Sequence, residues 1–195
     1  MNFAVIRRRW RRIRLEGGRS RLTPANWSTV IMLVLLAAIF VLHIACIIIL
    51  LTATIDNAWW IFTAGNMPTD IWARWIFVNN SWHSVDFPQT YPQSYLQAVQ
   101  ASSVLACIFS IIGIFVFVAQ LFTLAKGQRF LISGVFQFFA CLCIMIAASI
   151  YTDQFHTDEK SLGSYGHCFI LAWIAFALTF LSSVIYFVLR KKTAE

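Results

Sequence analysis

The chain has 195 residues, of which 59% are hydrophobic, 16% aromatic and only 12% charged; soluble domains carry about 25% charged residues, so lipid is the solvent for much of this surface and an ordinary soluble enzyme is excluded. The formal net charge of +7 is carried by the first 29 residues, which hold eight Arg against one Glu, and residues 30–195 are neutral overall. Nucleic-acid binding is not expected, because the basic charge is confined to a short tail.

In chain order, residues 1–29 read as a basic cytoplasmic tail. Arg7, Arg8, Arg9, Arg11, Arg12 and Arg14 surround only Trp10 and Ile13, and Gly17, Gly18 and Pro24 follow. So few apolar residues predict an exposed, poorly ordered segment, while the same run also suits an amphipathic contact with anionic lipid. Met32 offers a second start, and initiation there would dispense with the first 31 residues.

Four apolar runs follow, at about 30–55, 99–125, 130–152 and 168–189, with no Asp, Glu, Lys or Arg inside them. About twenty residues at 1.5 Å each cross a hydrocarbon core of roughly 30 Å, so each run predicts a membrane span. Residues 30–192 thus form one four-span domain, with 193–195 as a short terminus. The connections set the orientation. Lys126 and Arg129 occupy the shortest loop, and Arg190, Lys191 and Lys192 follow the last span. The two other loops each hold three acidic side chains against one basic: Asp56, Asp70 and Asp86 with Arg74, then Asp153, Asp158 and Glu159 with Lys160. The basic side stays cytoplasmic, so both termini are expected inside and the long loop 56–98 outside.

That loop is dense in aromatic residues: Trp59, Trp60, Trp72, Trp75 and Trp82 stand with several Phe and Tyr, and Pro68, Pro88 and Pro92 lie between them. Ile71-Trp72 and the run from Trp75 to Val78 are expected to supply strands of a small extracellular sheet, kept short by the prolines. The five tryptophans serve either surface recognition or a small aromatic core, and Trp59 and Trp60 beside the membrane edge favour packing or interfacial anchoring. Asn79-Asn80-Ser81 is an N-glycosylation sequon with Asn79 as acceptor. Asn26-Trp27-Ser28 also fits the pattern but falls on the cytoplasmic side.

No arrangement of residues supports an enzyme, and no cofactor is expected. His43, His83, His156 and His167 show no metal-ligand spacing, and His43, alone inside a span, reads as a polar contact between helices. Cys46, Cys107, Cys141, Cys143 and Cys168 lie in or at the edge of spans and read as core thiols. The long loop has no cysteine, so packing must order it. Small residues such as Ala106, Ser110, Ala147 and Ala148 predict close helix approach, and Gln100, Gln120 and Gln137 are the polar span residues to watch. Gly127, Gly134, Gly163 and Gly166 read as turn or close-packing positions.

The assembled pattern resembles the family of peripheral myelin protein 22, the epithelial membrane proteins and lens MP20 over about 32–192. The resemblance rests on Ala53-Thr54-Ile55-Asp56-Asn57-Ala58-Trp59-Trp60, on Leu96-Gln97-Ala98-Val99-Gln100-Ala101, and on Gln120-Leu121-Phe122-Thr123-Leu124-Ala125-Lys126-Gly127-Gln128-Arg129-Phe130. Ile150-Tyr151-Thr152-Asp153, Gly163-Ser164-Tyr165-Gly166, Leu171-Ala172-Trp173 and Leu189-Arg190-Lys191-Lys192 extend it. It implies an all-α transmembrane four-helix bundle with a small antiparallel extracellular sheet, claudin-like. It also implies a noncatalytic organiser of plasma-membrane composition, acting on cell-cell contact, adhesion-receptor trafficking, proliferation and membrane blebbing. The alternative is an accessory subunit of a channel or receptor. Membrane lipids, laterally associated integral membrane proteins such as adhesion receptors or channels, and further copies of the chain are the implied partners, with Lys126, Arg129, Arg190, Lys191 and Lys192 against anionic headgroups. In one respect the chain departs from the family pattern: relatives have a cysteine two residues beyond the Leu-Trp-x segment and a second cysteine after it, whereas Trp75 follows Ile71-Trp72-Ala73-Arg74 and the clip is missing.

Overall fold

A computed structural model describes residues 24–123, 130–156 and 161–194. Among the described residues, four helices, α1 (Pro24–Ile55), α2 (Gln93–Thr123), α3 (Leu131–Gln154) and α4 (His167–Ala194), stand with five short strands: β1 (Trp60–Phe62), β2 (Met67–Thr69), β3 (Arg74–Val78), β4 (Ser81–Val85) and β5 (Gly163–Tyr165). Within all four helices lie stretches long and apolar enough to cross a membrane, Trp27–Ile55, Gln93–Thr123, Leu131–Gln154 and His167–Lys191. The chain divides into two compact units, Met1–Ala38 and Ile39–Glu195. Of the first, Pro24–Ala38 is continuous helix, so the last six residues of the expected tail are helical. Proline suits a first helical turn, since its fixed φ is helical and its missing N–H has no partner to lose there. Residues 1–23 lie outside the described residues. Helix α2 also opens earlier than its apolar run, at Gln93, because the Pro92 carbonyl accepts the N–H groups of Tyr95 and Leu96, each at 3.1 Å.

In the second unit the helices are arranged inside out relative to a soluble bundle. Ser110, Gln120, Ser133, Gln137, Thr179, Ser182 and Ser183 are buried between helices, whereas Phe115 and Phe122 are 69% and 86% exposed on α2. Lipid explains both halves of the pattern: it accepts large apolar side chains on the outside, and small or hydrogen-bonding residues then hold the helices together. α2 packs along α3 and α3 along α4, through Ala106, Ala140, Ala147, Ala148, Ala172 and Ala175, all fully buried. At Gly134 an added Cβ would come within 3.1 Å of Tyr186 Cβ, so α3 and α4 approach tightly there. His43 is the polar contact its position suggests. Its Nδ1 is 2.7 Å from the Tyr186 hydroxyl and its Nε2 is 2.9 Å from the Ser110 carbonyl, which joins α1 to both α4 and α2. The Ser110 hydroxyl in turn donates to Gln137 Oε1, and that of Ser133 to Gln120 Oε1, each at 3.0 Å.

The five strands form one antiparallel sheet in the order β4-β3-β2-β1-β5. Trp75–Val78 belongs to β3, but Ile71-Trp72 forms the turn before it rather than a strand. The cause is Asp70, whose carboxylate draws the chain into a tight bend. The fifth strand comes from the loop before α4, with Trp60 opposite Tyr165 and Phe62 opposite Gly163. Its approach continues beyond the strand, as Gly166 N–H donates to the Trp59 carbonyl and Cys168 N–H to that of Ala58, both at 2.9 Å. A Cβ on Gly166 would run into the Ala58 carbonyl. Substituting Gly166→Ala is therefore expected to cost about 1–3 kcal/mol, as overpacking does, and to lower the detergent-unfolding midpoint of the purified protein; an unchanged midpoint would show that the two loops separate freely. The same junction carries Asp56, whose Oδ2 is 2.8 Å from His167 Nε2. That imidazole, with the Asn57 N–H, holds the Asp56 carboxyl below its ordinary range.

Candidate functional site

The sheet and its approaches are the part of the chain with the most specific polar and aromatic chemistry, and the five tryptophans fall into a buried pair, a pair beside Asp70, and Trp82 on the far hairpin. Trp59 and Trp60 face inward and are fully buried. The Trp59 indole N–H donates to the Ala53 carbonyl at 2.6 Å, and its ring lies edge-on to Tyr151 and Phe169, with centroids 4.9 and 6.1 Å away. Trp60 stacks on His156 at 4.2 Å with the rings parallel. His156 is a non-glycine residue with φ of +58°, just beyond the end of α3. That left-handed conformation is the one a helix terminus commonly gives to glycine. Here the Trp60 stack and the hydroxyls of Tyr91 and Tyr151, 3.0 and 3.3 Å from His156 Nε2, surround the imidazole. The anchoring group is thus a miniature core that joins the sheet to the ends of the helices.

Asp70 was not legible as a site residue, yet it organises the second group. It is buried; its Oδ1 accepts the N–H groups of Trp72 and Ala73, the latter at 2.6 Å, and its Oδ2 accepts the Trp75 indole N–H at 2.7 Å. Hydrogen bonds to an ionised acceptor are about twice as strong as neutral ones, and a carboxylate followed by two backbone donors is the signature of an Asx turn. The Trp72 indole continues the chain of bonds to the Thr54 carbonyl at 2.7 Å, and Gln100 Nε2 donates to the Ile71 carbonyl at 2.7 Å. Trp75 is thus held by a hydrogen bond to a buried carboxylate. Trp75 lies opposite Ser84 in the β3–β4 ladder. All five cysteines are free, and four of them are buried.

The far hairpin is solvent-facing. Phe77 and Trp82 pair across β3 and β4 with ring centroids 5.1 Å apart, and both are about half exposed, as are Trp72 and Val78. Asn79 and Asn80 form the two-residue turn, at φ of +52° and +63°, the pair of left-handed residues that a type I′ hairpin requires and that asparagine tolerates. The sequon is therefore at the exposed tip of the sheet, with the Ser81 hydroxyl 2.8 Å from His83 Nε2. Near the end of α4, Arg190 and Lys191 are exposed and stand about 35 Å from the start of that helix at helical rise. Lys126, Arg129 and the Lys192 side chain lie outside the described residues, as does Gly127.

The family described as PMP-22/EMP/MP20/Claudin matches residues 32–186. Epithelial membrane protein 2 of Bos taurus is 45% identical over 170 residues, covering 83% of this chain and 99% of the relative. The human form is 44% identical with the same coverage, and human epithelial membrane protein 1 is 39% identical over 161 residues, covering 83% of this chain and all of the relative.

Proposed function

Because the chain belongs to the PMP-22/EMP/MP20/Claudin family, and is a multi-pass membrane protein in contact with lipid, we propose that it organises the composition of the plasma membrane without catalysing a reaction. The observation that carries this reading is the exposed aromatic pair Phe77 and Trp82 on a sheet anchored to the helices through the buried Trp59 and Asp70. Exposed aromatics on a rigid support are the usual anchors of protein recognition, because they bury a large area at little conformational cost. The apolar outer faces of the spans supply a second, lateral surface. In this reading the sheet recognises neighbouring integral membrane proteins, adhesion receptors among them, and alters their delivery to the surface. Effects on cell contact, proliferation and blebbing follow from the changed composition. Both termini are cytoplasmic, with Arg190 and Lys191 near anionic headgroups, each contributing about 1 kcal/mol of attraction.

Two experiments test this. The topology predicts one N-glycan on Asn79: enzymatic deglycosylation of the cellular protein should lower its mass by one glycan, and Asn79→Gln or Ser81→Ala should abolish the change. A mass unaffected by deglycosylation would contradict a lumenal sheet tip. The function predicts that depleting the protein alters the surface abundance of other integral membrane proteins, and that restoring it reverses the change. Unaltered surface composition, or unitary current from the purified protein alone, would overturn the noncatalytic organiser. A change confined to the gating of one channel would instead favour the accessory-subunit reading.

A further inference from the structure

At the junction between the bundle and the sheet, three side chains that the sequence keeps apart meet. Asp56 follows α1 directly, His167 opens α4, and Cys168 is next to it. Their ligand atoms, a carboxylate oxygen, an imidazole nitrogen and a thiol sulfur, all lie within 4.8 Å of one another. The spacing of histidines along the chain gives no hint of this, because the partners are separated by 111 residues.

The geometry points to a binding site for a borderline-soft divalent transition-metal ion of the Zn²⁺ class, held by Asp56 Oδ2, His167 Nε2 and Cys168 Sγ, with water in the fourth position. Three observations support it. Asp56 Oδ2 and His167 Nε2 are 2.8 Å apart, near the roughly 3.3 Å that two ligands with bonds of about 2.0 Å subtend at a tetrahedral ion. The ligands are held from behind: Asp56 N–H donates to the Thr52 carbonyl at 3.0 Å and Cys168 N–H to the Ala58 carbonyl at 2.9 Å, while the Asn57 N–H holds Asp56 Oδ1 at 2.9 Å, so that Oδ2 is the oxygen turned to His167. Such supporting bonds are what fix ligand direction in metal sites. Finally, two of the three ligands reach solvent and the third does not. The His167 and Asp56 side chains are 56% and 46% exposed, whereas Cys168 is fully buried beneath them and is in no disulfide.

Chemistry selects the ion. A mixed oxygen, nitrogen and sulfur set suits Zn²⁺ and its neighbours, while Ca²⁺ and Mg²⁺ require oxygen ligands throughout. The carboxylate and thiolate together balance a divalent charge. On binding, the hydrogen bond between Asp56 Oδ2 and His167 Nε2 gives way to the ion, the thiol proton of Cys168 is released to solvent, and the imidazole coordinates through Nε2 with its ring proton carried on Nδ1. The ion would fasten the end of α1 to the start of α4 at the base of the sheet, in a chain whose five cysteines form no disulfide. This inference is independent of the proposed organising role.

The test uses the full-length protein in detergent micelles, with Co²⁺ as the spectroscopic probe. One equivalent should produce a thiolate-to-cobalt charge-transfer band and the visible bands of a four-coordinate ion, and Zn²⁺ should displace both while excess Ca²⁺ or Mg²⁺ should not. Cys168→Ser should abolish the charge-transfer band. His167→Ala and Asp56→Asn should each weaken Zn²⁺ binding by at least about tenfold, the lower figure for losing even a supporting group. The absence of a charge-transfer band in the unsubstituted protein would overturn the proposal, and so would a band that survives Cys168→Ser. The first of these outcomes needs no variant, so a substitution that fails to fold leaves the proposal open to refutation.

Discussion

Replacing Trp59 with alanine is expected to destabilise the protein by about 3–5 kcal/mol, the range for removing a large aromatic side chain from a packed interior. Trp59 is in contact with every layer of the junction. Its indole bonds to α1 through the Ala53 carbonyl, its ring packs on Tyr151 of α3 and Phe169 of α4, and its backbone bonds to Thr69 and Gly166. Truncation leaves the Ala53 carbonyl short of a partner as well as opening a cavity. Trp59→Phe should lose less, because it keeps most of the ring contacts and forfeits mainly the hydrogen bond. Unfolding midpoints of the purified protein would measure both, and a loss below about 1 kcal/mol for the alanine variant would contradict the role of this residue as the centre of the junction.

Asp70→Ala is expected to cost about 3 kcal/mol or more, since three donors lose a charged acceptor and a bond to a charged group contributes about 1.5–3 kcal/mol. The donors are the N–H groups of Trp72 and Ala73 and the indole of Trp75. Asp70→Asn separates charge from geometry. Its carbonyl oxygen can still accept the two backbone bonds, but its amide group then faces another donor in the Trp75 indole. Hydrogen exchange over residues 71–75 should therefore speed up strongly in the alanine variant and partly in the asparagine one. Equal protection in all three proteins would show that the bend forms without the carboxylate.

The membrane-spanning architecture was legible because it depends on long uninterrupted runs, and a run of twenty apolar residues has few other meanings. The sheet was only half legible. Trp75 to Val78 could be read as a strand from its aromatic and β-branched residues, whereas Ile71-Trp72 has the same composition and is a turn because the preceding Asp70 captures its backbone. Strand β5 was missed altogether: Gly163-Ser164-Tyr165 has no strand pattern, and it pairs with β1 only because Gly163 and Gly166 let the two backbones approach. His43 could be assigned to a helix contact since it is the imidazole that falls inside one of the four apolar runs of the sequence. The meeting of Asp56 with His167 and Cys168 had no local signal, because two helices must fold before their ends come together.

In the proposed role, the exposed aromatic tip of the sheet, and not merely the presence of four spans, governs membrane composition. The most direct measurement is a rescue of depleted cells with either the unsubstituted chain or a Phe77→Ser, Trp82→Ser double variant, matched for surface amount, followed by quantification of the other integral proteins at the surface. Both positions are about half exposed and outside the buried junction, so the double variant should fold and reach the surface, yet fail to restore the composition. Full restoration by the variant would contradict the claim and move recognition to the spans.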